Sequence, residues 1–227
     1  MFGLNLVTRT IVLGAVVVLL LGSCSLYDQF FGEKEDQGPD EFMSEGLKSF
    51  DRGNYEAAAE AFQKLKDRYP YSKLAITAEL KMADSLYERK EFDAAFDAYN
   101  EFERLHPKNK DTPYVIYRKG MSHFQQLTTI DRDQSHTFMA KEEFERLVRR
   151  FPRDDYAHRA RKNIRKCIIT QAKYELYVGH FYYKMGKYRA AMARYSYLIR
   201  NYPDMGQYNE ALEYIRRCKE KLSKEKE

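Results

Sequence analysis

The 227-residue chain has no tryptophan, three cysteines, and no apolar run longer than the eleven residues from Ile11 to Leu21. Eleven residues rise only about 16 Å as a helix, roughly half the hydrocarbon thickness of a bilayer, so the run is too short to span one. Cys167 and Cys218 are far apart in sequence and show no disulfide-framework spacing. Both are expected as buried thiols on helices, and whether they pair is left open. The motifs of the common reaction centres are missing too. The chain has no Gly-rich phosphate loop, no Gly-x-Ser-x-Gly elbow and no Cys-x-x-Cys. None of the five histidines (His106, His123, His136, His158, His180) lies three or four residues from another, the spacing that places two imidazoles on one helical face. No catalytic residue, metal or cofactor is therefore expected, and a wall-hydrolase reading lacks its acid, base and metal.

What the chain does contain is a repeat. Four helical stretches close on an aromatic or histidine followed by proline: Tyr69-Pro70, His106-Pro107, Phe151-Pro152 and Tyr202-Pro203. Eight residues before each proline stands Phe62, Tyr99, Phe144 or Tyr195; five before, Leu65, Phe102, Leu147 or Leu198; twelve before, Ala58, Ala95, Ala140 or Ala191. Twenty-four before stands Gly46, Ala83 or Gly179, and Gly120 joins them once the eight residues Thr128 to Ser135 are treated as an insertion. Small residues mark close helix approach, large ones fill the space between, and proline ends the second helix of each pair.

The pattern resembles the tetratricopeptide repeat, without its usual tryptophan. The implied fold is all-α, a right-handed superhelical solenoid of about five helix pairs spanning 40–223, with units near 40–71, 76–108, 113–153, 156–204 and 206–222. Fourteen extra residues between Pro152 and Pro203 predict one long helix from about Tyr156 to Met185.

Ahead of the repeats, Arg9, the short apolar run and Leu21-Gly22-Ser23-Cys24 read as a secretory signal. The last four residues resemble the bacterial lipobox. That resemblance implies a lipoprotein signal at 1–23, acylation of Cys24 and a lipidated tether over 24–39. Ser25 stands where aspartate would signal inner-membrane retention, which favours the outer membrane. Residues 224–227 form a charged tail. Net charge is +5, and Lys141 to Lys166 holds ten Lys or Arg against five acids. Secretion argues against nucleic acid as the partner of that stretch; a solvated helical face, an acidic protein partner or lipid headgroups fit it better.

In a solenoid, the first helices of successive units line a face that holds extended or helical peptides. Met43, Leu47, Phe50, Leu80, Asp84 and Tyr87 are the candidates for it in the first two units.

Several stretches are similar to the BamD (ComL) family, lipoproteins of the machinery that assembles β-barrels in the outer membrane of Gram-negative bacteria. They are Pro39-Asp40-Glu41, Asp67-Arg68-Tyr69-Pro70-Tyr71-Ser72, Tyr114 to Gly120, Asp131-Arg132-Asp133-Gln134 leading to Ala140, and Tyr182-Tyr183 with Tyr188. The resemblance implies a non-enzymatic scaffold on the periplasmic face of the outer membrane. Its implied partners are the barrel-forming insertase, unfolded barrel substrates with C-terminal targeting segments, and accessory lipoproteins. With it, Arg149, Arg159, Arg161 and Arg165 become candidates for partner docking. The alternative is another repeat lipoprotein, such as a pilotin for secretin assembly or a peptidoglycan-linked envelope adaptor.

Overall fold

The computed structural model describes residues 37–224. Among these residues it contains nine α-helices and no strand: α1 Pro39–Asp51, α2 Tyr55–Arg68, α3 Lys73–Glu88, α4 Phe92–Leu105, α5 Thr112–Phe124, α6 Ser135–Arg150, α7 Asp155–Lys184, α8 Tyr188–Asn201 and α9 Tyr208–Lys224. Each helix packs chiefly on its neighbours in sequence, which makes the array an all-α repeat solenoid. The signal segment 1–23, Cys24, most of the 24–39 tether and residues 225–227 lie outside the described residues.

Local chemistry sets where the helices begin and end. Side chains of Asn54, Ser72 and Asp154 accept backbone N–H bonds from Ala57, Leu74 and Tyr156 at the starts of α2, α3 and α7. At the ends of α2, α4 and α6, the N–H groups of Tyr69, His106 and Phe151 donate to Leu65, Phe102 and Leu147, and the proline that follows stops the helix. In three of the four pairs the turn inside the pair has one left-handed residue, seventeen before the closing proline. Gly53 (φ 76°) and Gly186 (φ 72°) supply it in the first and fourth pairs, and Lys90 (φ 64°) takes the same conformation in the second.

One contact recurs in all four pairs. The aromatic of the second helix presses its ring onto the small residue of the first, and Phe62, Tyr99, Phe144 and Tyr195 are all fully buried. A methyl group added at Gly46, Gly120 or Gly179 would lie 2.5, 2.6 or 2.3 Å from the ring of Phe62, Phe144 or Tyr195. The backbones can approach this closely because those positions carry no side chain. The helix alanines Ala58, Ala95, Ala140 and Ala191 are equally buried and allow the same approach from the second helix.

The third and fourth pairs depart from this plan. The extra residues after Phe124 form the α5–α6 connection, with Ser135 opening α6. Helix α7, the long helix expected from the spacing, has 30 residues against 16 in α6. Its first half buries Ala157, Ala160 and Cys167 with Ile116, Phe144 and Leu147 of α5 and α6. Its second half brings Leu176, Tyr182 and Tyr183 to Tyr195, Leu198 and Cys218 of α8 and α9. Cys167 and Cys218 are both free and buried, and burial pushes the Cys167 thiol up to about 12.

Gly120→Val should therefore be costly despite valine's fuller side chain, because the Phe144 ring has no space to yield into. We expect a loss of about 1–3 kcal/mol in urea unfolding. An unchanged midpoint would show that the ring is not held against the helix.

Candidate peptide-binding groove

The first helices of the second, third and fourth units and the turns before them line an open cleft of about 440 Å³. Helix α3 contributes Thr77, Leu80, Lys81 and Asp84; the start of α5 and the turn before it contribute Lys110, Asp111, Pro113 and Tyr114; the start of α7 contributes Asp154 and Tyr156. Tyr114 and Tyr156 of its wall meet at a tilt with ring centres 5.3 Å apart, and Tyr117 supports Tyr156 at 5.3 Å.

The floor is fixed by Asp84, which is 4% exposed. One carboxylate oxygen accepts from the hydroxyls of Tyr99 at 2.7 Å and Tyr114 at 2.6 Å, and the other accepts from the Lys81 ammonium at 3.2 Å. Three donors thus replace the water a buried carboxylate gives up. Arg118 closes the network from behind. It donates to the Tyr99 hydroxyl at 3.0 Å and to Glu88 at 2.8 Å, and its guanidinium lies 3.7 Å above the Tyr87 ring. Burial, reinforced by Asp84, holds the Tyr99 and Tyr114 hydroxyls well above the usual phenol range, so both remain donors. Burial alone would lower the Arg118 guanidinium, but Tyr99, Tyr114 and Glu88 raise it above its ordinary value.

This network follows a rule visible along the chain. The residue after the helix-contact glycine or alanine matches the aromatic that presses on it: Leu47 with Phe62, Asp84 with Tyr99, Met121 with Phe144, His180 with Tyr195. Where the ring carries a hydroxyl, the matching residue is polar and bonds to it, as His180 Nδ1 does with Tyr195 at 2.8 Å. Where the ring is phenylalanine, the match is apolar. Aligning the units with attention to this second column would have singled out Asp84 and His180 together.

The six residues predicted for the peptide face separate in space. Leu80 and Asp84 line the cavity. Phe50 sits at its edge, with the Lys81 ammonium 5.4 Å from its ring centre. Leu47 is exposed on α1, whereas Met43 and Tyr87 are buried core residues. Sequence reasoning missed Lys81, Lys110, Tyr114 and Tyr156. The two tyrosines do carry a signal, since each stands in the first turn of the helix that follows a repeat-closing proline.

Arg149, Arg159, Arg161 and Arg165 are all exposed. Arg161 and Arg165 stand one turn apart on α7, with Arg161 bonded to the Pro152 carbonyl at 2.7 Å. Arg159 projects at least about 120° around the helix from both and stacks on Tyr156. Arg149 lies on α6, and the three on α7 point to two sides of that helix, so the four do not form one patch. Of the histidines, His106 bonds Glu79 at 2.7 Å, and His123 and His136 meet at 3.3 Å between Nδ1 atoms although thirteen residues separate them. Burial, then His136, lowers the His123 imidazole below its usual range. Among the described residues, no group of three or more His, Cys, Asp or Glu side chains is placed to hold a metal ion.

Helix pairs in series with a groove across their first helices define a tetratricopeptide-type repeat protein. The fold matches the solved TPR2AB domain of yeast Sti1, in its complex with pHSP90, at a TM-score of 0.51 and 15% identity, over 81% of this chain and 70% of that one. The chain belongs to the YfiO family of outer membrane lipoproteins, the family of the BamD proteins, whose model matches residues 35–227. It is 34% identical over 159 residues to the outer membrane protein assembly factor BamD of Rickettsia prowazekii (strain Madrid E), covering 70% of this chain and 63% of that relative's length. It is 28% identical over 200 residues to the assembly factor BamD of Neisseria meningitidis serogroup A, covering 84% of this chain and 75% of that protein.

Asp84→Leu should destabilise the chain by about 2–4 kcal/mol, because it removes the acceptor of two hydroxyls and an ammonium. Adding Tyr99→Phe installs the leucine–phenylalanine pair of the first unit and should recover about 1–2 kcal/mol of that loss. Strictly additive losses in the double-mutant cycle would contradict the pairing.

Proposed function

We propose that the chain is a non-catalytic outer-membrane scaffold that assists the assembly of β-barrel proteins by holding the barrel insertase and unfolded substrates close together. The observation that carries this reading is the groove itself. It is a cavity large enough for a few side chains, walled by Tyr114 and Tyr156, with the ammonium groups of Lys81 and Lys110 beside them. Asp84 and Asp154, which also line it, are engaged by their own hydrogen bonds, and aromatic walls beside ammonium groups suit an extended segment that ends in an aromatic residue and a carboxylate. The amino-terminal units receive such targeting segments, with Leu80, Asp84 and Phe50 at the groove and Leu47 on the adjoining helix.

The carboxyl-terminal units dock a periplasmic domain of the insertase, with Arg149 at the end of α6 and Arg159, Arg161 and Arg165 on α7 meeting its acidic groups. Acylation of Cys24 anchors the chain to the periplasmic face of the outer membrane, and residues 24–39 act as the tether. Confinement at the membrane raises the effective concentration of each partner, so modest individual affinities suffice. Accessory lipoproteins complete the assembly.

Depleting the chain should lower folded barrel proteins generally. Re-expression with Arg149, Arg159, Arg161 and Arg165 all replaced by Glu should neither restore them nor co-purify the insertase. Loss of pili alone on depletion, or full rescue with unchanged co-purification, would contradict this reading.

A further inference from the structure

Helix α7 outruns its partner α6, and the excess carries an apolar stripe. At about 100° per residue, Tyr174, Tyr177, Val178, Phe181 and Met185 fall on one face. Upstream, that same face is buried through Ala160, Asn163 and Cys167. In the overhang it is open: Tyr177 is 41% exposed, Phe181 52% and Met185 53%. The opposite face of the overhang is already occupied, with Glu175 and Gly179 buried toward α8.

The charges beside the stripe have one sign. Lys162, Lys173 and Lys184 recur every eleven residues, close to three helical turns, and so form a row along its edge. All three are exposed. From Tyr156 to Arg189 there are nine Lys or Arg and one acid, Glu175. That acid is buried and bonded to Arg194 at 3.2 Å, so it leaves the row unneutralised.

Aromatic and methionine side chains bordered by snorkelling lysines are the chemistry of a helix lying in a membrane interface, and Glu210, which the neighbouring helix brings to this edge, is bonded to His180 at 3.1 Å. Among the described residues no helix is long and apolar enough to cross a bilayer, so such a helix would rest on its surface. The family is one of outer membrane lipoproteins, which puts a bilayer within reach. We propose that the α7 overhang, residues 174–185 with Lys162, Lys173 and Lys184, docks on a surface of anionic phospholipid and is a second membrane contact besides any lipid anchor. The lysines meet phosphate and glycerol headgroups while Phe181 and Met185 enter the acyl boundary. The contact fixes how the solenoid is turned relative to the membrane, whichever proteins it binds.

The absence of tryptophan provides the probe. In the full chain carrying Phe181→Trp, reconstituted into vesicles containing phosphatidylglycerol, the single indole should emit at shorter wavelength than in phosphatidylcholine vesicles and be quenched by bromine-labelled acyl chains. Adding Lys173→Glu and Lys184→Glu should abolish both effects, as should high salt in part. A probe at Leu105→Trp, exposed at the end of α4, should respond to neither lipid. Equal emission in the two vesicle types overturns the proposal. So does a shift that survives the lysine reversals, one that follows protein concentration and so reports a second copy, or one that arises only when an acidic partner protein is added.

Discussion

An aromatic ring pressed onto bare helix backbone holds each unit of this protein together. Phe62, Phe144 and Tyr195 occupy the space that a side chain at Gly46, Gly120 or Gly179 would need, and in the second unit Tyr99 and Ala83 are buried in one cluster. Glycine in a helix costs roughly 1 kcal/mol relative to alanine, and here the close approach it permits offsets that cost. The contact sets the distance between paired helices and so the stacking of successive pairs. The groove exists because that stacking brings the starts of α5 and α7 beside α3.

Polar chemistry is built onto the same contact. A phenylalanine ring needs nothing further, so the matching positions of the first and third units carry the apolar Leu47 and Met121. A tyrosine ring carries a hydroxyl into the interior, and that hydroxyl must be bonded. Asp84 and His180 meet the requirement in the second and fourth units, and Asp84 thereby becomes the floor of the groove. A second network ties the third unit to the second: Glu103 bonds Arg146 at 2.6 Å, Lys119 at 3.2 Å and Arg150 at 2.9 Å. Burial would raise the Glu103 carboxyl, but Arg146 and Lys119 hold it below its ordinary range. Both networks are satisfied across a boundary between units, so they fix orientation as well as proximity.

Much of this was legible in the sequence because the ring contact admits few residue types, and its columns recur at constant distance from each proline. The long α7 followed from counting. The groove was harder to read for a geometric reason. A first helix in a solenoid touches its own partner, the preceding unit and the open face together, so residues one turn apart have different fates. Tyr87 was a candidate for the open face as a residue of a first helix, yet Arg118 covers its ring and Gln125 bonds its hydroxyl at 3.2 Å. Lys110 and Asp154 reach the cavity from the turns between units, outside the helical columns by which the repeat was read. The His123–His136 contact joins two helices across the insertion, where spacing along one helix carries no information.

The central claim is that a repeat scaffold presents one peptide groove, walled by α3 and the first turns of α5 and α7. The most direct measurement is amide hydrogen exchange on the full chain, with and without a peptide ending in an aromatic residue and a free carboxylate. Slowed exchange confined to residues 77–84, 110–118 and 154–158, and lost when the peptide carboxylate is amidated, is the result the account predicts. Slowed exchange elsewhere, or the same protection from the amidated peptide, would contradict it.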